Sequence, residues 1–395
     1  MTKRYYMLMT GLLSVLIAAT HPAAARDVNI HGFVSQGFLQ TDKNNYLAKT
    51  EDGSTQFNEM GINFTTYVAD DLKVGCQFFA RDLGEVGNDE VIINWAFAEY
   101  AYRNWLGLRV GLIKVPFGFF NDTRDFDSFR TSIFLPSSVY NEWFRDAVNS
   151  MKGAELYGTI PMGALGLLKY QAQIGHTQTS VDSGLGRFST VVNKKALNLK
   201  ELTEYYVDRI YVGALQWKTP IAGLRVGVSH LKAENYWKAI TPVEIPDVGM
   251  VDLPLTFNVH HLEYWVYSAE YTWQNFTLTY EQYIAKREAD ALVAGQTINS
   301  DLHTKASFYI SADYRFTDWF GAAYYWSRFR LDPNKDTDDN ELIDQCLSLR
   351  FDLNMNWIVK LEAHYMDGEF GVEADSDGHI YKEWMFFAAK ISFSF

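Results

Sequence analysis

Several features that define common protein classes are scarce or missing in this chain of 395 residues. It has only two cysteines, which are too few for a disulfide framework. It has a net charge of −13 and no sustained cluster of lysine and arginine, which argues against a nucleic-acid binder. Beyond residue 20, no apolar run approaches the roughly 18 residues that a spanning helix needs, which excludes a helical membrane protein.

The chain is rich in aromatic residues instead. Phenylalanine, tyrosine and tryptophan make up 16% of the sequence and are spread evenly along it, whereas proline occurs only nine times. Charged residues account for only 21% of the sequence. A disordered chain would show the opposite balance, so an ordered fold is indicated.

Residues 1–25 have the composition of a secretory signal peptide. Lys3 and Arg4 form a positive segment, residues 7–19 are mostly apolar, and the alanines at 23–25 fit a cleavage site. The alternative is a buried N-terminal helix. Cleavage after residue 25 changes the net charge from −13 to −15 and exports the chain, leaving both cysteines as packing residues in an oxidising compartment.

Apolar and polar residues alternate along most of the remaining chain. Phe276, Leu278 and Tyr280, for example, share one face, and the residues between them are polar. This period of two predicts strands with one apolar and one polar face. We predict sixteen strands, at 28–39, 57–69, 72–82, 91–102, 106–116, 152–161, 165–176, 207–218, 223–232, 261–273, 276–287, 304–316, 319–330, 343–353, 357–366 and 383–395.

The connections between these strands alternate between short and long, as in an up-and-down barrel whose short turns lie at one end. Most strands have about the 9–11 residues that cross a membrane at a tilt, and tryptophans flank several short turns. The alternative is a large soluble sandwich, but no linker divides the chain into the two cores it would need. The predicted long connections are 40–56, 83–90, 117–151, 177–206, 233–260, 288–303, 331–342 and 367–382.

The last strand carries a recognisable terminal pattern. Met385, Phe387 and Ile391 share a face with Phe393 and with Phe395, the final residue. This pattern resembles the signal that the outer-membrane assembly machinery of Gram-negative bacteria reads. The alternative is an edge strand that ends in Phe by chance. Together with the leader and the sixteen alternating segments, it predicts a sixteen-stranded antiparallel transmembrane β-barrel over 26–395 in the outer membrane, with both termini periplasmic.

A family resemblance is specific around residues 109–153. Residues 109–125 read RVGLIKVPFGFFNDTRD, and the segment that follows the long connection reads KGAEL at 152–156. These motifs, with His31-Gly32-Phe33, Asp82-Leu83-Gly84, Leu135-Pro136 and Val139-Tyr140, resemble porins of the phosphate-selective type and their uncharacterised relatives. The resemblance implies a trimer and a third external loop, here 117–151, that folds into the lumen. No lysine- or arginine-rich stretch occurs in this loop, so phosphate selectivity does not carry over.

Loop 117–151 is the predicted pore constriction. Charges that face each other across a confined passage sort solutes by their sign. The loop is also unusually apolar, which predicts that it packs on the inner barrel wall, with Gly118 and Pro136 supplying bends. The alternative role for its charges is salt bridging that pins the loop. The predicted constriction residues are Asp122, Arg124, Asp125, Asp127, Arg130 and Arg145, and the predicted lumen-wall bases include Lys73, Arg81, Arg109 and Lys360.

The alternation also predicts a nearly balanced lumen, because the acidic excess lies in the external loops 331–342 and 367–382. Net charge therefore says nothing about pore selectivity. The other charged residues predicted to point inward are Lys169, Arg209, Arg225, Arg315, Arg350, Lys390, Glu59, Glu270, Glu281, Asp313, Asp344, Asp352 and Glu362.

No cofactor is expected. The acidic stretches 332–341 and 375–378 offer clustered oxygen ligands for Ca²⁺, but neither has the spacing of a twelve-residue calcium loop. The alternative is a solvated acidic loop at the cell surface. The nine histidines are scattered, and GxSxG, HExxH and phosphate-binding glycine loops are missing, so an enzyme is not expected.

The predicted function is passive diffusion of small hydrophilic solutes and ions through a water-filled channel. No plug domain is expected before the first strand. Two alternatives stay open, namely a phosphate- or oxyanion-selective channel and a closed barrel that serves as a surface receptor or adhesin. The expected partners are two further copies in a homotrimer, outer-membrane lipid, lipopolysaccharide and small polar solutes, without nucleic acid.

Overall fold

The structure is a computed structural model that describes residues 27–84, 86–192, 199–332, 334 and 337–395. The predicted signal peptide lies outside the described residues. No helix within the described ranges is long and apolar enough to cross a membrane.

Sixteen antiparallel strands close into one barrel in which each strand pairs with its neighbours in sequence. The strands are β1 (Asn29–Thr41), β2 (Phe57–Ala69), β3 (Leu72–Leu83), β4 (Ile92–Arg103), β5 (Leu106–Lys114), β6 (Ser150–Pro161), β7 (Leu167–Gln178), β8 (Glu201–Lys218), β9 (Leu224–Ile245), β10 (Gly249–Trp273), β11 (Phe276–Val293), β12 (Gln296–Arg315), β13 (Phe320–Arg330), β14 (Glu341–Asp352), β15 (Trp357–Gly368) and β16 (Glu383–Ser394). The predicted strand number and order are confirmed.

Closure joins the first strand to the last. Phe33 of β1 pairs with Ser394 of β16, and the backbone groups of Gly32 and Phe395 exchange two hydrogen bonds of 3.0 Å. A closed sheet leaves no strand edge unpaired, which is the condition for a sheet in lipid.

The outer face carries the apolar residues that the alternation assigned to it. Phe387 and Ile391 of β16 are exposed, whereas Lys390 and Ser392 between and beside them are buried toward the lumen. The tryptophans beside the short turns stand out from the barrel as well. These exposed tryptophans are Trp105, Trp273, Trp319 and Trp357.

Strands β8 to β12 extend much further than predicted. The predicted long connections 233–260 and 288–303 are wrong, because both consist mainly of paired strand. β9 and β10 meet at a short turn around Asp247, and β11 and β12 meet at Ala294 and Gly295, all three with positive φ. Beyond the lipid a strand no longer needs an apolar outer face, so alternation ends where pairing continues. These five strands form one tall side of the barrel, called here the tall wall.

One lumen assignment fails for a related reason. Arg209 was predicted to point inward, but the pairing of β8 with β9 shifts register between Val207 and Arg209. A bulge of this kind reverses the facing of the residues that follow it. Arg209 is consequently exposed, while Val207 and Ile210 are buried.

The long connection between β5 and β6 covers residues 115–149 and is called here the inner loop. It contains three short 3₁₀ turns, Asn121–Thr123, Asp127–Phe129 and Glu142–Phe144, followed by the short helix Arg145–Val148. A turn at Pro136 reverses the chain, with its carbonyl oxygen accepting from the Tyr140 amide at 2.9 Å.

Candidate functional site

The inner loop is fastened to the far side of the barrel by one buried carboxylate. Glu281 of β11 accepts hydrogen bonds from the Phe119 amide at 2.8 Å and from the Tyr140 hydroxyl at 2.6 Å. Ser268 at 2.5 Å and Tyr309 at 2.7 Å, both on neighbouring strands, complete the set of donors. This set of four donors to Glu281 is called here the Glu281 clasp.

Gly118 has a local reason to be glycine at this clasp. Its φ is +61°, a conformation that residues with a side chain rarely adopt. A Cβ atom here would also collide with the Tyr140 hydroxyl and the Glu281 carboxylate. The predicted bend at Gly118 is therefore present, and it lets the backbone approach the wall closely.

A second attachment lies on β15. Glu362 accepts from the amides of Ile133 at 2.6 Å and Phe134 at 3.2 Å. Lys360, two residues earlier, donates to the carbonyl oxygens of Asp127 at 2.8 Å and Ser132 at 2.9 Å. On this one strand, Glu362 therefore binds amide groups of the loop backbone, and Lys360 binds its carbonyl groups.

Asp127 lies where the loop meets β15 and β16, next to the strand pairing that closes the barrel. Its carboxylate is 2.9 Å from Lys390 Nζ and 3.2 Å from Arg130 Nη2, and it accepts from the Ser392 hydroxyl at 2.6 Å. Burial alone would raise the pKa of Asp127, but Lys390, Lys360 and Arg130 together hold it well below its usual range. Asp127 is therefore ionised at neutral pH.

Asp125 forms the next charged group along the loop. Its carboxylate is 2.6 Å from Lys114 Nζ and 2.8 Å from Arg145 Nη2, and it also accepts from Asn94 at 2.6 Å. Burial opposes ionisation, yet Lys114 and Arg145 hold the pKa of Asp125 well below its usual range. Arg145 also contacts Glu59 of β2 at 2.6 Å, which ties the helical end of the loop to the wall.

Arg81 of β3 and Arg124 of the loop share one acidic partner. Arg81 lies 3.1 Å from Glu142 and 3.1 Å from Asp146, and Arg124 lies 2.7 Å from Glu142. Burial alone would raise the pKa of Glu142, but Arg124, Arg145 and Arg81 together hold it well below its usual range. These ion pairs fasten the loop to β3, so the pinning role considered for its charges is present, while their role in lining the passage stays a prediction.

Of the four predicted wall bases, Arg81 and Lys360 meet the loop, but Lys73 and Arg109 do not. Arg109 lies 2.5 Å from both Glu99 and Glu155 on neighbouring strands. Lys73 lies over the ring of Phe97, 5.9 Å from its centre. Contrary to the expectation, Lys73, which lies eight residues before Arg81 on β3, forms no ion pair with a loop carboxylate among the described residues.

Two other predicted residues have distinct positions. Asp122 ends toward Lys169 and Lys114, and burial raises its pKa; its Oδ1 atom has no hydrogen-bond partner among the described residues. Arg130 turns back onto the loop itself and donates to the carbonyl oxygens of Arg124 at 2.7 Å and Ile133 at 3.1 Å.

The apolar residues of the inner loop pack as their number predicted. Phe134 stacks on Phe57 of β2 at 5.2 Å between ring centres, and Trp143 is fully buried near Phe188. External segments at 46–48 and 370–372 join the same cluster and cover the loop from outside. Phe129 is the exception, being 67% exposed.

Sequence reasoning missed an apolar stretch of the lumen wall. Between the inner loop and the tall wall lies a cavity of about 850 Å³, lined chiefly by aliphatic and aromatic side chains. The signal in the sequence is a local loss of alternation, since residues 210–215 read IYVGAL, with apolar side chains on both faces. The members from β8 to β10 include Val207, Ile210, Leu231, Ala233, Val259 and Leu262.

Few described residues could hold a metal ion. Cys346, Glu362 and His364 bring their ligand atoms within 4.8 Å of one another inside the barrel. Glu362 already accepts from two amides of the loop and from Ser348 at 2.7 Å, which accounts for its position without a metal. Cys76 and Cys346 are both free thiols.

The predicted calcium sites remain predictions. In the stretch 375–378, the Asp375 carboxylate accepts hydrogen bonds from the amides of Asp377 at 3.0 Å and His379 at 2.7 Å. These bonds form an Asx turn within the loop. In the stretch 332–341, positions 333, 335 and 336 lie outside the described residues.

A closed antiparallel barrel with an apolar outer face and a charged loop held across its lumen defines a class, the channel-forming proteins of the outer membrane. The family model described as Gram-negative porin matches residues 12–369. The chain belongs to the Gram-negative porin family and forms a channel for small solutes in the outer membrane. The predicted porin resemblance is confirmed, and the family assigns a channel rather than a catalytic role.

Solved structures agree on the fold. OmpT of Vibrio cholerae aligns with a TM-score of 0.57 at 12% identity, over 95% of this chain and 99% of that one. The outer-membrane channel DcaP of Acinetobacter baumannii aligns with a TM-score of 0.56 at 11% identity, over 94% of this chain and 98% of that one. An anion-selective porin from Comamonas acidovorans aligns with a TM-score of 0.53 at 11% identity, over 94% of this chain and 100% of that one. No curated protein matches the chain by sequence.

Proposed function

We propose that this porin lets small hydrophilic solutes and ions diffuse passively, and that the inner loop sets the narrowest section of their path. The observation that carries the proposal is the fastening of the loop, which leaves β5 and enters β6, to strands on the far side of the barrel. The Glu281 clasp holds it to β11, and Lys360 and Glu362 hold it to β15. A loop held across the barrel in this way divides the lumen and restricts passage to the space beside it.

Weak ion selectivity follows from the pairing of the wall charges. Arg225 lies 2.7 Å from Glu270, and Arg109 contacts Glu99 at 2.5 Å. Each such pair presents a dipole to the passage and little net charge, so neither sign of ion is strongly favoured.

The alternative of an oxyanion-selective channel needs accessible basic side chains at the narrow section. Lys360 and Lys390 do gather near Asp127, but their side chains are only 1% and 2% exposed. Lys390 is neutralised by Asp127 and by Glu59, which lies 2.7 Å away. A solute phosphate would have to displace these partners, which favours the unselective channel.

The test is single-channel recording in planar bilayers. Deletion of 121–135 removes the middle of the inner loop and is expected to enlarge the conductance while the barrel still assembles, as judged by heat-modifiable migration in gels. Deletion of the external turn 375–378 is the matched control and should leave the conductance unchanged. An unchanged conductance in the folded 121–135 deletion overturns the proposed role of the loop, strong anion selectivity of the wild type favours the oxyanion alternative, and zero conductance of folded protein favours the closed receptor.

We further propose a homotrimer, exported by cleavage of a signal peptide after Ala25. A trimer form of Vibrio cholerae OmpT, which shares this fold at 12% identity and a TM-score of 0.55, supports the assembly. Lipid and lipopolysaccharide are the proposed surroundings of the apolar outer face. Cross-linking in mild detergent should yield a three-chain species, and N-terminal sequencing should begin at Arg26; a pure monomer or a retained leader contradicts the respective part.

A further inference from the structure

The cavity between the inner loop and the tall wall differs from the charged contacts around Asp125 and Asp127. Val207, Leu231, Val259 and Leu262 form a continuous apolar surface here across three strands, and this surface borders open space. Phe117 of the inner loop closes the opposite side. The volume of the cavity, about 850 Å³, lies within the range of small-molecule binding sites.

An apolar surface of this extent is unfavourable in a lumen that only carries water and salt. Contiguous apolar surface exposed to water usually marks a binding site. Aromatic side chains from β8, β10 and β11, namely Tyr205, Tyr264 and Tyr283, widen the same surface. The lining therefore suits a solute with an apolar body.

Two cations enter this apolar cavity from adjacent strands. Arg287 of β11 and Lys305 of β12 both line it, and the pairing of Arg287 with His303 and of Ala285 with Lys305 sets them diagonally on one face. Among the described residues, no carboxylate lies within ion-pairing distance of Lys305. The acidic residues that line the cavity are Glu244, which is exposed at the outer end of β9, and Asp332 beside β13.

We propose that this cavity binds amphipathic anions, carboxylates with an apolar body about as large as a phenyl ring, on their way through the channel. Lys305 and Arg287 attract the carboxylate, and the surface formed by Val207, Leu231 and Leu262 takes the apolar body. The inference rests on the proposed channel function and adds a class of solute to it. A carboxylate without an apolar body lacks the second set of contacts, and a neutral solute lacks the first.

The test uses three matched probes on the purified full-length protein in planar bilayers. They are 3-phenylpropanoate, propanoate with the same head but no ring, and 3-phenylpropanamide with the same body but no charge. Partial burial of a phenyl ring is worth at least about a tenfold gain in affinity. We therefore expect 3-phenylpropanoate to reduce the KCl current at concentrations at least tenfold lower than either of the other two.

Two lysine variants separate the cavity from general attraction of anions. Lys305→Met is expected to weaken block by 3-phenylpropanoate about tenfold and to leave the amide unaffected. Lys286→Met is the matched control, because Lys286 is exposed on the outer face of β11, close to Lys305 in the sheet. Leu231→Asn should weaken block of the current by 3-phenylpropanoate and leave block by propanoate unchanged.

Tryptophan fluorescence measures binding to the cavity independently of ion conduction. Trp237 lines the cavity, so 3-phenylpropanoate should change the tryptophan fluorescence of the folded protein but not that of the Trp237→Phe variant. If the channel conducts and 3-phenylpropanoate acts no better than propanoate, the cavity proposal is wrong and the channel stands. Fluorescence binding without conductance would overturn the channel and leave the cavity. Equal effects of Lys305→Met and Lys286→Met would also refute the cavity site.

Discussion

The Glu281 clasp makes a graded prediction about release of the inner loop. Tyr140→Phe removes one of the two loop donors to Glu281, the hydroxyl at 2.6 Å, and also leaves the Phe120 amide without the acceptor it has at 3.1 Å. Glu281→Leu removes both loop contacts to this side chain. The loop should therefore open in a larger fraction of molecules in the order wild type, Tyr140→Phe, Glu281→Leu.

The size of the effect follows from the acceptor being charged. A hydrogen bond to a charged group contributes about 1.5–3 kcal/mol, and about 1.4 kcal/mol corresponds to a tenfold change in an equilibrium constant. Tyr140→Phe should raise the open population by about 10- to 150-fold, and Glu281→Leu by at least about a hundredfold. Burial and the Glu281 carboxylate raise the pKa of Tyr140 well above its usual value, so its hydroxyl remains a donor throughout the accessible pH range.

Trypsin in detergent measures this population, because Arg124 is buried and Arg130 turns back onto the loop. Cleavage follows the equilibrium population of the open loop when opening and closing are fast. Tyr324→Phe is the control, since that exposed hydroxyl donates only to Gln345 at 2.9 Å on the outer face. Equal cleavage rates for wild type and Glu281→Leu, with the barrel intact, would refute the clasp as the anchor of the loop.

Three further outcomes are expected. Neutralising Asp125 and Asp127 to asparagine should shift the reversal potential in a KCl gradient toward anions, because basic partners then remain unpaired; a shift toward cations would contradict this. Both carboxylates have pKa values well below their usual range, so their stabilising contribution, present above the unfolded-state pKa, is lost only as pH falls through the lower folded value. Segment 117–149 should accordingly still resist pepsin at pH 4, and cleavage there as fast as in the unfolded chain would be inconsistent with strong pairing. Arg145→Leu leaves buried carboxylates unpaired and should cost about 3–5 kcal/mol in denaturant unfolding, whereas Arg209→Leu at an exposed site should cost less than about 1 kcal/mol.

The sequence was most informative where lipid constrains the chain. The predicted bounds of β2 (57–69) and β13 (319–330) agree with the structure within one residue. In these strands every second residue faces lipid, so the alternation of apolar and polar residues runs along the whole strand. The upper parts of β9 and β10 lack this constraint, and water on the outer face permits any polar pattern. Main-chain pairing alone continues those strands, and single-sequence patterning does not report it.

The inner loop was partly predictable for a different reason. Its many aromatic residues predicted an inner position, because they would otherwise form a large exposed apolar surface. Its partners were not predictable as pairs. Glu281 lies more than 140 residues beyond Tyr140, and Glu362 more than 220 beyond Ile133, and only closure of the barrel brings each pair together.

The charged group around Asp127 has a consequence for assembly. Lys390 of β16 and Glu59 of β2 lie on the two strands that flank β1, and Asp127 contacts Lys390 from inside the barrel. The seam between the first and last strands is therefore bridged by the loop as well as by the sheet. With the loop outside the barrel, Lys390 and Glu59 would keep each other but lose their loop partners Asp127 and Arg145. Buried charge at the seam would then be less fully compensated. Placement of the loop inside the lumen therefore contributes to the stability of the closed seam.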